Sequence, residues 1–133
     1  MSEFRLEIVT PERTVVSADV EMAVCPGLMG EFGILPNHIN MLAALKTGVL
    51  RYRIQSKDAH VFISGGFADM NNNVLSVLAE SAERADSIDK ARAERARERA
   101  ERRLAERGEN VDIARADAAL QRAMMRIHAS GLV

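Results

Sequence analysis

The stretch Ala79-Glu80-Ser81-Ala82-Glu83-Arg84-Ala85-Asp86 marks a change in the composition of the chain. On its N-terminal side, glycine and proline separate short runs of apolar residues. On its C-terminal side there is no proline, and alanine and arginine dominate. Both are strong helix formers. We therefore predict two domains, residues 1–85 and residues 86–133, with strands in the first domain and helices in the second.

Apolar and polar residues alternate along several segments of the first domain. This period of two indicates half-buried strands. The predicted strands are 4–9, 19–24, 49–55, 61–64, 67–70 and 74–78. Turn-forming residues such as Pro26-Gly27, Gly65-Gly66 and Asn71-Asn72-Asn73 lie between them. Many short strands at close spacing are typical of a β-sandwich or barrel and not of a parallel sheet covered by helices.

Two helices separated by Gly108 are predicted in the second domain. Asp86 is the expected N-cap of the first helix, which should end near Arg107. Asn110 is the expected N-cap of the second, over about 111–128. The short link makes the helices antiparallel. Their facing surfaces are mostly alanine, and a buried methyl group contributes only ~0.8 kcal/mol. We therefore expect a marginally stable hairpin that docks in more than one position.

The composition of the chain restricts its function classes. The 133 residues include 18 Lys and Arg and 19 Asp and Glu, so the net charge of −1 indicates no particular partner. No apolar run approaches the ~20 residues of a membrane helix, and we expect no cleaved signal peptide. Cys25 is the only cysteine, which fits a reducing cytoplasm and a small, buried strand residue.

Motifs of common enzyme and metal sites are missing from the sequence. There is no phosphate-binding G-x-x-x-x-G-K-[ST], no G-x-G-x-x-G, no H-E-x-x-H and no Cys/His pair at zinc spacing. The histidines His38, His60 and His128 fall in a predicted loop, strand and helix end, and nothing places a nucleophile beside a base. We therefore expect no catalytic residue, no metal site and no required cofactor in this chain.

Four segments of the first domain, taken in order, carry a resemblance to a known family. They are Val9-Thr10-Pro11-Glu12-Arg13, Gly30-Glu31-Phe32-Gly33-Ile34-Leu35-Pro36-Asn37-His38, Leu45-Lys46-Thr47-Gly48-Val49-Leu50-Arg51 and Ile63-Ser64-Gly65-Gly66-Phe67. Together with the abrupt change to an Ala/Arg-rich hairpin, they resemble the epsilon subunit of bacterial and chloroplast ATP synthases over essentially the whole chain. The resemblance implies an α+β fold, with an N-terminal ten-stranded β-sandwich followed by a C-terminal antiparallel two-helix hairpin.

The resemblance also implies a function, which is that of a non-catalytic central-stalk subunit in the rotor of a proton-translocating ATP synthase. The sandwich would contact the gamma subunit and the ring of c subunits. The hairpin would meet the alpha and beta catalytic subunits and regulate ATP hydrolysis. The implied location is the cytoplasmic face of the bacterial inner membrane, reached only through partner subunits.

In the family, the loop that matches residues 31–38 faces the c ring. Glu31 and His38 are the matching polar positions, and the resemblance implies that they contact the ring. Without the resemblance, the glycine and proline of this loop indicate only an ordinary corner of a sandwich, since they fix the path of the chain without selecting a partner.

A second motif, Ile88-Asp89-Lys90-Ala91-Arg92-Ala93, resembles the I/L-D-x-x-R-A signature with which some bacterial epsilon subunits bind ATP without hydrolysing it. A carboxylate can accept a hydrogen bond from an adenine amino group, and guanidinium groups bind phosphates through paired hydrogen bonds. By this resemblance, ATP is a regulatory ligand. The implied ATP-binding residues are Glu83, Ile88, Asp89, Arg92, Ala93, Arg99, Arg122 and Arg126. Arg103 is expected to lie outside the site.

The arginine-rich hairpin is also compatible with two other hypotheses. Twelve of the 18 basic residues lie from Arg84 onward, so arginines at helical spacing occur by chance, and Asp89 could serve only to stabilise a helix N-terminus. A different function class is a free-standing nucleotide-sensing or nucleic-acid-binding module. Glu94, Glu98 and Glu101 interleave with the arginines, so no uniformly basic stripe forms and we expect no nucleic-acid partner.

Overall fold

The computed structural model describes residues 2–106, 108 and 112–132. Within these residues it confirms the α+β fold class, with ten strands in two sheets followed by two helices. The strands are β1 (Phe4–Val9), β2 (Thr14–Val20), β3 (Met22–Cys25), β4 (Phe32–Ile34), β5 (Met41–Ala44), β6 (Gly48–Ile54), β7 (Lys57–Ser64), β8 (Phe67–Asn71), β9 (Val74–Leu78) and β10 (Ser81–Arg84). A 3₁₀ turn (Ala85–Ser87) leads to helices α1 (Lys90–Glu106) and α2 (Ile113–Ser130).

The two sheets have five strands each and enclose the main core. The first sheet has the order β2-β1-β9-β8-β5, and the second has the order β10-β7-β6-β3-β4. β1 and β9 pair in parallel, while the other described pairs are antiparallel. The alternating apolar residues of the strands point between the sheets, as the period-two pattern predicts. The core includes the fully buried side chains Phe4, Leu6, Ile8, Leu50, Ile63 and Val77.

The predicted strand over residues 19–24 is wrong, because the chain passes from one sheet to the other at Glu21. Val20 is the last residue of β2 in the first sheet, and Met22 is the first residue of β3 in the second. The buried positions shift by one residue at this crossing, so that Ala23 and Cys25 enter the core in place of Met22 and Val24. A period-two pattern cannot reveal such a shift, because the alternation itself changes phase there.

The helix starts also differ from the sequence prediction. Asp86 lies inside the 3₁₀ turn and does not cap α1. The capping position belongs to Asp89, whose side chain accepts a hydrogen bond from the Arg92 N–H at 3.0 Å. Asp112 caps α2 in the same way, accepting from the Arg115 N–H at 3.0 Å. The predicted cap Asn110 lies outside the described residues.

The helical hairpin packs on the outer face of the second sheet. Five alanines are buried in the helices, Ala93, Ala100, Ala116, Ala123 and Ala129. α2 lies against β6, β7 and the 3₁₀ turn, and α1 packs chiefly on α2. Phe62 of β7 is only 1% exposed although it lies outside the core between the sheets. In the part of the chain that the structure describes, neither helix is long and apolar enough to cross a membrane.

Candidate functional site

A cavity of about 500 Å³ lies between the second sheet and the helical hairpin. Five arginines and one carboxylate contribute its charged lining: Arg92, Arg99 and Arg103 from α1, Arg122 and Arg126 from α2, and Glu83 from β10. The apolar part of the lining comes from Phe62 and from the alanines Ala96, Ala100, Ala116, Ala119 and Ala123. We call this space the arginine cavity. Its shape follows from the alanine seam, because small side chains leave room between the helices while arginines border it.

The fold brings five of the eight predicted ATP-binding residues together around this cavity. These are Glu83, Arg92, Arg99, Arg122 and Arg126. They come from three elements, and their convergence depends on α2 lying against the sheet. Helical spacing alone places Arg122 and Arg126 on one face of α2, but only the docked hairpin brings them beside Glu83.

The other three predicted residues do not line the cavity. Asp89 is occupied as the cap of α1 through its bond to Arg92. Ile88 is half-buried at the end of the 3₁₀ turn, where its N–H donates to the Ala85 carbonyl at 3.4 Å. Ala93 is fully buried between the helices. A contribution of these residues to ligand binding would therefore act through the position of α1 and through helix packing.

Eight of the residues that line the cavity were not predicted for this site: five alanines, and Arg103, Ser81 and Phe62. Arg103, which was expected to lie outside the ATP site, lines the cavity together with the predicted arginines. The sequence signal was available, since Arg99 and Arg103 are four residues apart and share a helix face. Ser81 lies two residues before Glu83 on the same face of β10, which alternation could also have shown. Phe62 is brought opposite Glu83 by the pairing of β7 with β10, a register that no local pattern reveals.

The charges of the arginine cavity are unbalanced. Arg126 is the one cavity arginine that forms a salt bridge among the described residues, with its Nε 2.7 Å from Glu83 Oε1. Its terminal nitrogen also donates to Glu83 Oε2 at 3.3 Å. The remaining four arginines repel one another across a space with few carboxylates. Such an arrangement favours a multiply charged anion, because guanidinium groups make paired hydrogen bonds to phosphate oxygens.

The predicted c-ring contacts Glu31 and His38 flank the short edge strand β4. Glu31 precedes the strand and is exposed, while His38 follows it and is half-buried. The His38 Nδ1–H donates to the Ile39 carbonyl at 2.8 Å. The two side chains therefore stand beyond opposite ends of β4. Near Glu31, the side chain of Met29 is 98% exposed, so the loop before β4 presents an apolar as well as an acidic group.

An apolar row crosses the outer face of the first sheet. Val9, Leu78, Phe67 and Ala44 are neighbours in register on β1, β9, β8 and β5. Phe67 and Leu78 are 54% and 57% exposed, although such side chains are usually buried. A groove of about 680 Å³ runs along this row. Neighbouring exposed apolar groups of this kind are typical of surfaces that contact another molecule.

Metal-binding geometry is not found in the described ranges, where no group of three or more His, Cys, Asp or Glu side chains is arranged to hold an ion. Cys25 is buried, and its surroundings raise the pKa of the thiol to about 12 through loss of hydration. Burial likewise raises the pKa of Tyr52. Neither residue lines the arginine cavity.

Comparison with known proteins gives matches along almost the whole chain. The family model described as "ATP synthase, Delta/Epsilon chain, beta-sandwich domain" matches residues 3–85, and the one described as "ATP synthase, Delta/Epsilon chain, long alpha-helix domain" matches residues 86–131. The ATP synthase epsilon chain of Nitratidesulfovibrio vulgaris (strain DP4) is 55% identical over 100 residues, 75% of each chain. That of Pelotomaculum thermopropionicum is 52% identical over 101 residues, 76% of this chain and 75% of the relative.

Solved structures with a similar fold also come from ATP synthases. A chain in the Euglena gracilis mitochondrial ATP synthase (OSCP/F1/c-ring, rotational state 1) has a TM-score of 0.81 and 23% identity, and the match covers 100% of this chain and 83% of that one. A chain in the central stalk/c-ring structure of the Tetrahymena thermophila enzyme has a TM-score of 0.54 and 13% identity, and the match covers 64% and 69% of the two chains. At these identities the likeness shows the fold.

Proposed function

The chain belongs to the delta/epsilon family of ATP synthase subunits, and from this membership we propose that it is a rotor subunit of a proton-translocating ATP synthase. The observation that carries the proposal is that the two family models match consecutive segments, 3–85 and 86–131, so that both domains of the family are present in order. Its relatives are epsilon chains, which places it among the non-catalytic subunits of the enzyme.

The apolar row of the first sheet is the proposed contact with the gamma subunit. Its exposed Phe67 and Leu78 would become buried in such an interface, which provides a reason for two large apolar side chains to lie at the surface. The segment from Met29 to His38, which includes Glu31, is the proposed contact with the ring of c subunits. Through these partners the chain would couple proton flow to ATP synthesis at the cytoplasmic face of the bacterial inner membrane.

The hairpin is the proposed regulatory part of the subunit. In the docked state it forms the arginine cavity against β10 and β7, and in an extended state it would reach the alpha and beta subunits and restrain ATP hydrolysis. The proposed ligand of the cavity is ATP, bound without hydrolysis. Because the cavity exists only when α2 is docked, ATP would bind the docked state more tightly and raise its population.

Repulsion between the cavity arginines supports this role. With no anion present, five guanidinium groups border one cavity with Glu83 as the carboxylate of its lining, and docking brings these charges together. A triphosphate would neutralise them. The ligand would thus change the docking equilibrium through electrostatics and would need no change within the sandwich.

Co-purification tests the assignment. A tagged chain expressed in a bacterium that contains the whole enzyme should be recovered with gamma, alpha, beta and c subunits. The double variant Phe67→Ser/Leu78→Ser should lose most of this recovery, while a control such as Lys57→Ser, on an exposed residue of β7, should keep it. Recovery with RNA and without the other subunits would support the alternative of a free-standing nucleic-acid-binding module.

The c-ring contact is tested by proton pumping. Glu31→Ala/His38→Ala in the assembled enzyme should lower ATP-driven proton pumping in membrane vesicles relative to the rate of ATP hydrolysis. The thermal stability of the isolated subunit should barely change, since neither side chain enters the core. Normal pumping by the double variant would leave this loop as an ordinary sandwich corner.

A further inference from the structure

We infer that Glu83 and Arg126 form a latch, which holds the helical hairpin on the sandwich when no ligand is bound. This inference rests on the proposed movement of the hairpin. Glu83 belongs to β10 of the sandwich, and Arg126 belongs to α2, 43 residues further along the chain. The pair therefore joins the two structural parts that must separate when the hairpin extends.

Two nitrogens of the Arg126 guanidinium face the two carboxylate oxygens of Glu83, one at ion-pair distance without hydrogen-bond geometry and the other in a hydrogen bond. Arg126 Nε lies 2.7 Å from Glu83 Oε1, and the second guanidinium nitrogen donates to Oε2 at 3.3 Å. The side chains are 17% and 28% exposed, which is less than those of any other salt-bridge pair in the described part of the chain. Partial burial limits screening by water and salt, so this pair should contribute more to stability than a surface ion pair.

The position of the pair in the fold sets it apart from the other salt bridges. Arg5, Arg51 and Arg53 pair with carboxylates inside the sandwich, and the Arg97–Glu101 pair lies within α1. The Arg84–Asp86 pair joins β10 to the adjoining 3₁₀ turn, so in the described ranges Glu83–Arg126 is the salt bridge that connects the sandwich to α1 or α2. The docking geometry of α2 is thus fixed by charge at one point.

The rest of the docking interface offers little apolar area. Phe62 is the large buried side chain beneath the hairpin, and the buried residues of the helices are alanines. Apolar burial scales with area, so an interface whose fully buried side chains are one phenylalanine and alanines, with Met125 and Ile127 of α2 only half-buried, gains less than a core of large side chains before the entropy cost of ordering the hairpin. With so small a gain, one partly buried ion pair is large enough to decide whether the hairpin is docked.

Loss of Glu83 has two consequences of the same sign, whereas loss of Arg126 breaks the pair but also removes one of the mutually repelling arginines of the cavity. The remaining charge keeps part of its desolvation cost and loses its counterion. Without Glu83, the arginine cavity also loses the carboxylate of its lining and the repulsion among its arginines rises. Both effects favour the extended hairpin. The latch therefore predicts that a neutral residue at position 83 opens the hairpin in the complete absence of nucleotide.

Energy transfer between two fluorescent labels measures this opening in the full-length chain. The substitutions Lys57→Cys and Arg102→Cys, both at exposed positions, introduce the labelling sites, and Cys25 remains unlabelled because it is buried. The ratio of docked to extended hairpin is measured without nucleotide, in urea concentrations at which the circular dichroism of the sandwich is unchanged. Glu83→Gln should lower this ratio by about fivefold or more, and Arg126→Gln should lower it by a smaller factor, because it also relieves repulsion among the cavity arginines.

Two further variants separate charge from other effects. The exchange Glu83→Arg/Arg126→Glu should restore at least half of the lost docking, because it reverses the pair without removing it. Glu80 lies just before β10, and its carboxylate forms no salt bridge among the described residues. Glu80→Gln should therefore leave the ratio of docked to extended hairpin unchanged. The latch is overturned, but the proposed movement is retained, if the unmodified chain opens measurably and Glu83→Gln has the same ratio of docked to extended hairpin as that chain. If the hairpin stays docked in every variant, both the latch and the proposed movement are overturned.

Discussion

Asp89 Oδ1 accepts a hydrogen bond from the backbone N–H of Arg92 at 3.0 Å. Two residues of the I-D-x-x-R-A motif are therefore joined at the start of α1, where Asp89 caps the helix and Arg92 lines the arginine cavity. This relationship suggests that Asp89 acts on a ligand by fixing where α1 begins, and so where Arg92 points. It leads to a prediction that separates capping from direct contact with ATP.

Substitutions at Asp89 should follow the rules of helix capping. Asn is as good an N-cap as Asp, whereas Ala removes the cap at a cost of about 1 kcal/mol. We expect Asp89→Asn to keep ATP affinity within about twofold and Asp89→Ala to lower it by about fivefold, since ~1.4 kcal/mol corresponds to tenfold. Isothermal titration of the isolated subunit measures both. Equal losses in the two variants would instead indicate that the carboxylate charge itself contacts the ligand.

Arg92→Ala should weaken ATP binding by about tenfold or more, because a hydrogen bond to a charged group contributes roughly 1.5–3 kcal/mol. The matched control is Arg95→Ala, which removes an exposed arginine of the same helix that does not line the cavity. Arg103 is unsuitable as a control, since it borders the cavity. Similar losses from both substitutions would mean general charge attraction without a defined site. The absence of heat at millimolar ATP in the unmodified chain would refute ATP as the ligand.

Gly66 should tolerate no side chain. Its φ of +106° is rarely adopted by other residues, and a Cβ would lie 1.9 Å from the Leu78 carbonyl oxygen. Gly66→Ala should therefore lower the free energy of unfolding by at least about 2 kcal/mol, as measured by urea denaturation. Gly33→Ala is the control, because its nearest neighbour would be 4.0 Å away. A loss no greater than that of Gly33→Ala would contradict the close approach of β8 and β9 at this turn.

Local interactions along the chain make part of this fold predictable from the sequence, whereas contacts between distant segments do not. The bounds of β1 and β9 follow from local alternation, because each strand packs one face on a single core along its whole length. The strands β4, β5 and β10 are three or four residues long, too short for a period-two pattern to stand out, and they follow only from the family resemblance. The phase change at Glu21 depends on a change of sheet, which is tertiary information.

The residues of the candidate site likewise divide into those that local spacing predicts and those that depend on tertiary packing. Arginines that share a helix face can be identified by counting residues, and Arg103 could have been included on that basis. The salt bridge between Glu83 and Arg126 could not, because it depends on the docking of α2 and not on spacing. The cap formed by Asp89 was a local alternative to a ligand contact, and choosing between the two required the hydrogen bond itself.

Cys25 should be unreactive in the folded chain. Burial raises the pKa of its thiol from an ordinary value of 9.0 to about 12, so the thiolate that reacts with labels is scarce at pH 8. Because the unfolded chain ionises first, stability conferred by the neutral thiol is complete below pH 9 and is lost as the pH rises towards 12. A thiol reagent at pH 8 should label Cys25 only in urea that unfolds the sandwich. Rapid labelling in native buffer would show that β3 opens locally.

Residues 1–85 should fold without the hairpin, because the core between the two sheets is formed almost entirely by residues of the ten strands. A chain ending at Ala85 should show β-type circular dichroism and a cooperative thermal transition. Removal of α2 would expose Phe62, which is 1% exposed in the full chain, and should lower solubility. Phe62→Thr should restore the solubility of the shortened chain. The control Phe67→Thr should restore less of it, because the Phe67 side chain is already exposed in the full chain and truncation does not change its exposure. An unfolded product with or without Phe62→Thr would show that the sandwich needs α2 for stability, and the hairpin could then not leave it during regulation.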